Sequence, residues 1–175
     1  MSLLARILLL STASTLFGCG SSVQDDKIAE TVNVEVKKMI EATFEGNYEV
    51  VIEMTHPKLF EKLGGKEKAG EMIKTTMEMI KGKGLTFKVV EIGKPTVVKG
   101  DKDFFAVAPY TGEITGQGKK ITMKTAVVGV STDAGKTWKF INVDENGENG
   151  IRPILPDLPR ELKIPRQTIT REDLD

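Results

Sequence analysis

The chain has 175 residues, room for about one domain at the usual ~100–200 residues per domain. Its 25 Lys and Arg residues balance 25 Asp and Glu residues, and no basic block is long enough to track a phosphate backbone, which argues against a nucleic-acid partner. One Cys and one His exclude an internal disulfide and a Cys/His zinc cluster, so neither a metal nor another cofactor is expected.

The first residues, "MSLLARILLLSTASTLFG", carry one Arg, then an apolar run, then small residues, which is the layout of a secretory signal. The run from Ile7 to Phe17 is shorter than the ~20 apolar residues that span a bilayer. The lone Cys, Cys19, stands where this segment ends. The stretch "LFGC" resembles the lipobox of bacterial lipoproteins, with Leu at the third position before Cys and Gly just before it. That resemblance implies cleavage before Cys19, diacylation of its thiol and anchoring of the chain to a membrane of the bacterial cell envelope, with the domain on the extracytoplasmic side. Two or three acyl chains anchor stably where one binds only marginally. The chain is thus read as a signal peptide over 1–18, a polar tether over 19–26, a folded domain over 27–144 and a tail over 145–175.

In chain order, Asp25 or Asp26 is expected to cap a first helix whose apolar positions are Ile28, Val32, Val36, Met39, Ile40 and Phe44. Gly46 ends it. "NYEVVIEM" starts a second, shorter helix, which Pro57 interrupts by disfavouring helical geometry at His56, and "KLFEKL" adds a last turn. Ala69, Met72, Ile73, Thr76, Met77 and Ile80 mark a third helix, closed by Gly82 and Gly84. From Leu85 the pattern turns to strands: "LTFKVVEI" and "PTVV" as one long strand broken at Gly93 to Pro95, then "DFFAVAPYTGEI", "ITMKTAVVGV" and "KTWKFINV", with turns between them. Helices followed by strands predict an α+β domain, with three helices on one face of a curved four-stranded antiparallel sheet.

The last turn, "STDAGKTW", fits the Asp-box, a repeat best known from sialidase propellers, through Ser131, Asp133, Gly135 and Trp138. Asp accepts backbone N–H groups of a tight turn and Gly supplies positive φ, so the motif is expected to be a structural hairpin. One copy in a chain of this length cannot build a propeller, whose blades repeat every ~40–50 residues.

The order of helices and then a meander resembles the nuclear transport factor 2-like superfamily. The stretch that carries it is "EGNYEVVIEMTHPKLFEKLGGKEKAGEMI", with the linkage Gly46-Asn47-Tyr48-Glu49, a His-Pro break and a Gly pair before the third helix. The resemblance covers about residues 27 to 144 and implies a cone with a cavity between sheet and helices. Enzymes of that superfamily, such as ketosteroid isomerase and scytalone dehydratase, place Asp or a His/Asp pair and Tyr inside the cone.

On that basis the ligand-pocket candidates are Tyr48, His56, Phe105 and Tyr110. The plainer readings are a helix-break histidine, a tyrosine packing the helix junction, and sheet residues that alternate between faces. Strand alternation assigns no acid to an inward position, so no catalytic residue is assigned. The preferred function is a non-enzymatic lipoprotein that binds a small apolar ligand or another envelope protein, with its oligomeric state open and a dimer included. The alternative is a small lyase or isomerase using the cone as its active site.

Beyond Asp144 the Pro153, Pro156, Pro159 and Pro165 spacing predicts an extended tail. Its Ile151, Ile154, Leu155, Leu158, Leu162 and Ile164 predict that it docks on its own domain or on a partner, because free linkers carry few large aliphatics. "QTITREDLD" is expected to stay mobile.

Overall fold

The computed structural model describes residues 23–174. In chain order these form α1 (Val23–Glu45), α2 (Tyr48–Met54), α3 (Pro57–Leu63), α4 (Lys66–Gly82), β1 (Thr86–Ile92), β2 (Thr96–Lys99), β3 (Phe104–Gly116), β4 (Lys119–Ser131), β5 (Lys139–Asn142), α5 (Glu148–Ile151) and β6 (Thr168–Asp173). The fold is mixed α+β, with an open antiparallel sheet. Cys19 and the signal segment lie outside the described residues.

The sheet is organised by β3 and β4, which pair along their whole length from Phe104↔Ser131 to Gly116↔Lys119. Gln117 and Gly118, both at positive φ, join them, the backbone that a two-residue hairpin loop requires. β1 pairs with the far half of β3 and β2 with its near half. On the other side, β5 pairs with the near half of β4 and β6 with its far half. Six strands thus make a sheet four rows wide.

Near β5 this sheet is buried on both faces, and strand alternation sorts its side chains between two cores. Ala106, Ala108, Val127, Trp138 and Phe140 face α1, whose Ile28, Val32, Val36, Met39 and Ile40 recur at helical spacing. Phe105, Val107, Ala126, Val128, Val130, Ile141 and Val143 face the opposite way. There they meet Ile151, Leu155, Leu158, Leu162 and Ile164 of the Pro-rich segment.

That segment is not extended. Backbone bonds from Ile154 and Leu155 to Ile151, from Leu158 to Leu155 and from Leu162 to Pro159 wind it into successive turns. Turns bring aliphatics three or four residues apart onto one side, whereas an extended chain would have pointed alternate ones into water.

The element count also differs from the sequence reading, with five helices and six strands among the described residues in place of three and four. The helix breaks before Pro57 as expected, with His56 in extended geometry, but Pro57 also occupies the first turn of α3, where its missing N–H costs nothing, and so "PKLFEKL" stands as a separate helix and not as a last turn. α1 runs through Asp25 and Asp26 instead of starting after them. Asp26 is free to meet Lys94, whose Nζ lies 3.2 Å from its carboxylate. The stretch expected to be mobile forms β6, because the far half of β4 would otherwise leave a row of unpaired backbone groups. The pairs Lys120–Glu172 at 2.8 Å and Lys119–Asp173 at 3.8 Å flank that ladder.

Leu162 is fully buried at the centre of the second core. Leu162→Ala is expected to destabilise the fold by about 2–5 kcal/mol, the usual range for a core leucine. Denaturant unfolding checks this; an unchanged midpoint would mean that the turns are only loosely applied to the sheet.

Candidate functional site

The helical layer is tight along α1 and loose along α4. α1 has Val32 and Val36 fully buried, whereas the one buried residue of α4 is Ala69. α4 approaches α2 closely at its start, where a Cβ on Gly70 would sit 2.9 Å from the Ile52 side chain. Farther along, Ile73, Met77 and Ile80 are only half-buried, and Met72 and Met79 are 50% and 54% exposed.

The consequence is a cavity of about 330 Å³ bounded by α1, α2, α3, α4 and the end of β5. Its apolar lining comes chiefly from Met39, Val51, Leu59, Phe60, Ile73 and Met77. Its polar residues are Thr43, Thr55, Thr76 and Asn142. Each threonine spends its hydroxyl proton on the carbonyl four residues earlier: Thr43 on Met39 at 2.8 Å, Thr55 on Val51 at 2.7 Å and Thr76 on Met72 at 2.8 Å. Their oxygens can therefore accept from a guest but have no free proton to donate. No acid, base or nucleophile is among the lining residues.

The four residues singled out from the sequence do not meet in one place, and none lines this cavity. Tyr48 opens α2 beside Gly46, with its hydroxyl 3.5 Å from where a Cβ of that glycine would be. His56 caps α3: its Nδ1 accepts the Lys58 N–H at 3.3 Å, and its own N–H donates to the Phe140 carbonyl at 3.0 Å. The imidazole pKa is lowered, first by burial and then by the Lys58 charge, which keeps the neutral form that can accept. Phe105 lies in the core under the Pro-rich segment, while Tyr110 packs against the α1 core on the other face. Burial pushes the Tyr110 phenol up to about 12, so near neutral pH it is an un-ionised hydroxyl.

The Asp-box closes on itself. The Asp133 carboxylate accepts from the Thr137 N–H at 2.9 Å, the Thr137 hydroxyl at 2.7 Å, the Ser131 hydroxyl at 2.8 Å and the Lys136 N–H at 3.2 Å. Ser131 in turn accepts the Gly135 N–H at 2.9 Å, and the Trp138 indole donates to the Gly135 carbonyl at 3.1 Å. Gly135 has φ +84 and lies against Ile28 of α1, where a Cβ would stand 3.2 Å from the isoleucine. The turn therefore supports the start of α1 and has its acceptors already occupied.

The sequence signal that could have pointed to the cavity is the α4 pattern itself. It holds five large apolar positions, while the small residues that permit close helix contact, Ala69 and Gly70, both stand at its start. Among the described residues no group of three His, Cys, Asp or Glu could hold a metal ion, and no helix is long and apolar enough to cross a membrane. No protein-family model matches the chain, and no curated protein matches it.

The Asp133 hydrogen bonds, that from the Thr137 N–H foremost, hold its carboxyl down at about 2 from an ordinary 3.8. The folded state favours the charged form, so the stabilisation is complete above the ordinary value and is lost as pH falls from there toward about 2. Thermal unfolding should show wild type above Asp133→Ala at neutral pH, with the gap closing through that window. A gap independent of pH would contradict this role for the carboxylate.

Proposed function

We propose that this protein is a membrane-anchored lipoprotein of the bacterial envelope whose domain binds a small apolar molecule in the cavity between α1–α4 and β5. The observation that carries the reading is the lining: aliphatic and thioether side chains around about 330 Å³, with acceptor oxygens and one amide but no ionisable group. Ligand sites are mostly apolar cavities of ~300–1,000 Å³ with a few placed polar groups. Met39, Met72 and Met77 add unbranched, polarizable chains that adapt to varied guests. Binding is favoured over lyase or isomerase chemistry because a base with a tuned pKa would have to face the guest, and the lining offers none.

The helix-then-sheet order accords with the nuclear transport factor 2-like resemblance. Under this reading the ligand lies beside the cone rather than within it, since Val32, Val36, Val127 and Phe140 fill the space between α1 and the sheet. Cys19 supplies the anchor through its position at the end of the signal segment.

Two experiments bear on these parts separately. The neutral dye N-phenyl-1-naphthylamine should bind the full chain with a blue-shifted emission, and Ile73→Trp, which fills the cavity from α4, should weaken binding about tenfold, or roughly 1.4 kcal/mol. Unchanged binding by a variant that melts like wild type would overturn the cavity assignment. Cys19→Ser should move the protein from the membrane to the soluble fraction, and unaltered membrane partitioning would overturn the anchor.

A further inference from the structure

The exposed methionines of α4 have a defined electrostatic setting. Met72 and Met79 are seven residues apart, two helical turns, and so lie on one line along the helix. Lys68 stands four residues before the first and Lys83 four residues after the second. At 3.6 residues per turn both lysines fall within about 30° of the methionine line. Glu67 and Glu78 are turned about 110° or more away from it, and Glu71 about 90°. The exposed apolar stripe is thus bracketed at both ends by cations, with the anions displaced toward the solvent side. All five charged side chains are exposed.

A solvated helix face does not need two half-exposed methionines in line, and a core-facing stripe would have buried them. A bilayer surface accounts for both features. Apolar side chains enter the boundary between headgroups and acyl chains, lysines reach the anionic headgroups, and their methylene stems lie along the apolar region. Met72 also lines the cavity, so this face adjoins it.

We propose that α4 docks on the surface of an anionic lipid bilayer, with Met72 and Met79 in the headgroup–acyl boundary and Lys68 and Lys83 on the headgroups. An apolar guest could then pass between bilayer and cavity without crossing water. The bilayer contact itself does not depend on cavity binding, which the dye experiment tests by a different readout.

The test is tryptophan quenching with the full chain in vesicles of phosphatidylethanolamine and phosphatidylglycerol whose acyl chains carry bromine. Met72→Trp and Met79→Trp should be quenched roughly twice as strongly as Glu67→Trp and Glu78→Trp, since only the first pair reaches the boundary layer. Lys68→Glu combined with Lys83→Glu should remove that difference. Equal quenching at all four positions, or none at any, would overturn the proposal. So would protection of positions 72 and 79 from aqueous acrylamide without bromine quenching, which would assign the face to a protein or a second copy of the chain.

Discussion

The paired centre of β3 and β4 is apolar on both faces, and the rest of the fold answers that constraint. Ala106, Ala108 and Val127 need one cover, while Phe105, Val107, Val128 and Val130 need another. α1 supplies the first. The second comes from the turns of residues 151–164, whose buried leucines and isoleucines contribute about 1.5–3 kcal/mol each by leaving water. The prolines of that segment work in the same direction, because they restrict the unfolded chain and so reduce the entropy lost on docking.

Covering the sheet uses up α1, and that decides what the remaining helices can do. α2 and α3 turn back over the end of β5, tied there by the His56 N–H to the Phe140 carbonyl and by a bridge between Thr55 and Phe140. α4 is then left with its one buried residue at its start, Ala69, next to the close approach at Gly70. The cavity lies where apolar side chains outnumber the surfaces available to cover them. Regions with few buried contacts are those that open most readily, which suits an entrance more than a scaffold.

Much of the scaffold was legible in the residues. The spacing of Ile28, Val32, Val36, Met39 and Ile40 identified α1 and its buried face, and the Asp-box identified the hairpin into β5. What escaped depended on partners far away in the chain. "TITRED" is a strand because β4 has an unpaired half to offer, and nothing inside those six residues reveals that. The Pro-rich segment showed its aliphatics but not its turns, since proline fixes φ without choosing between an extended chain and a turn. The cavity was hidden for a related reason. Met39, Met72 and Met77 fit a filled core and a lined cavity equally well by composition, and the distinction rests on how closely α4 can approach α2.

The claim that the helical cavity is a binding site can be met at the methionines themselves. In a spectrum of the full chain with 13C-labelled methionine methyl groups, addition of N-phenyl-1-naphthylamine should shift Met39, Met72 and Met77, which line the cavity. Met54, buried in the α1 core, and Met123, on the far half of β4, should stay in place. Shifts centred on Met54 or Met123, or no shift at Met39 and Met77 at saturating dye, would contradict the account.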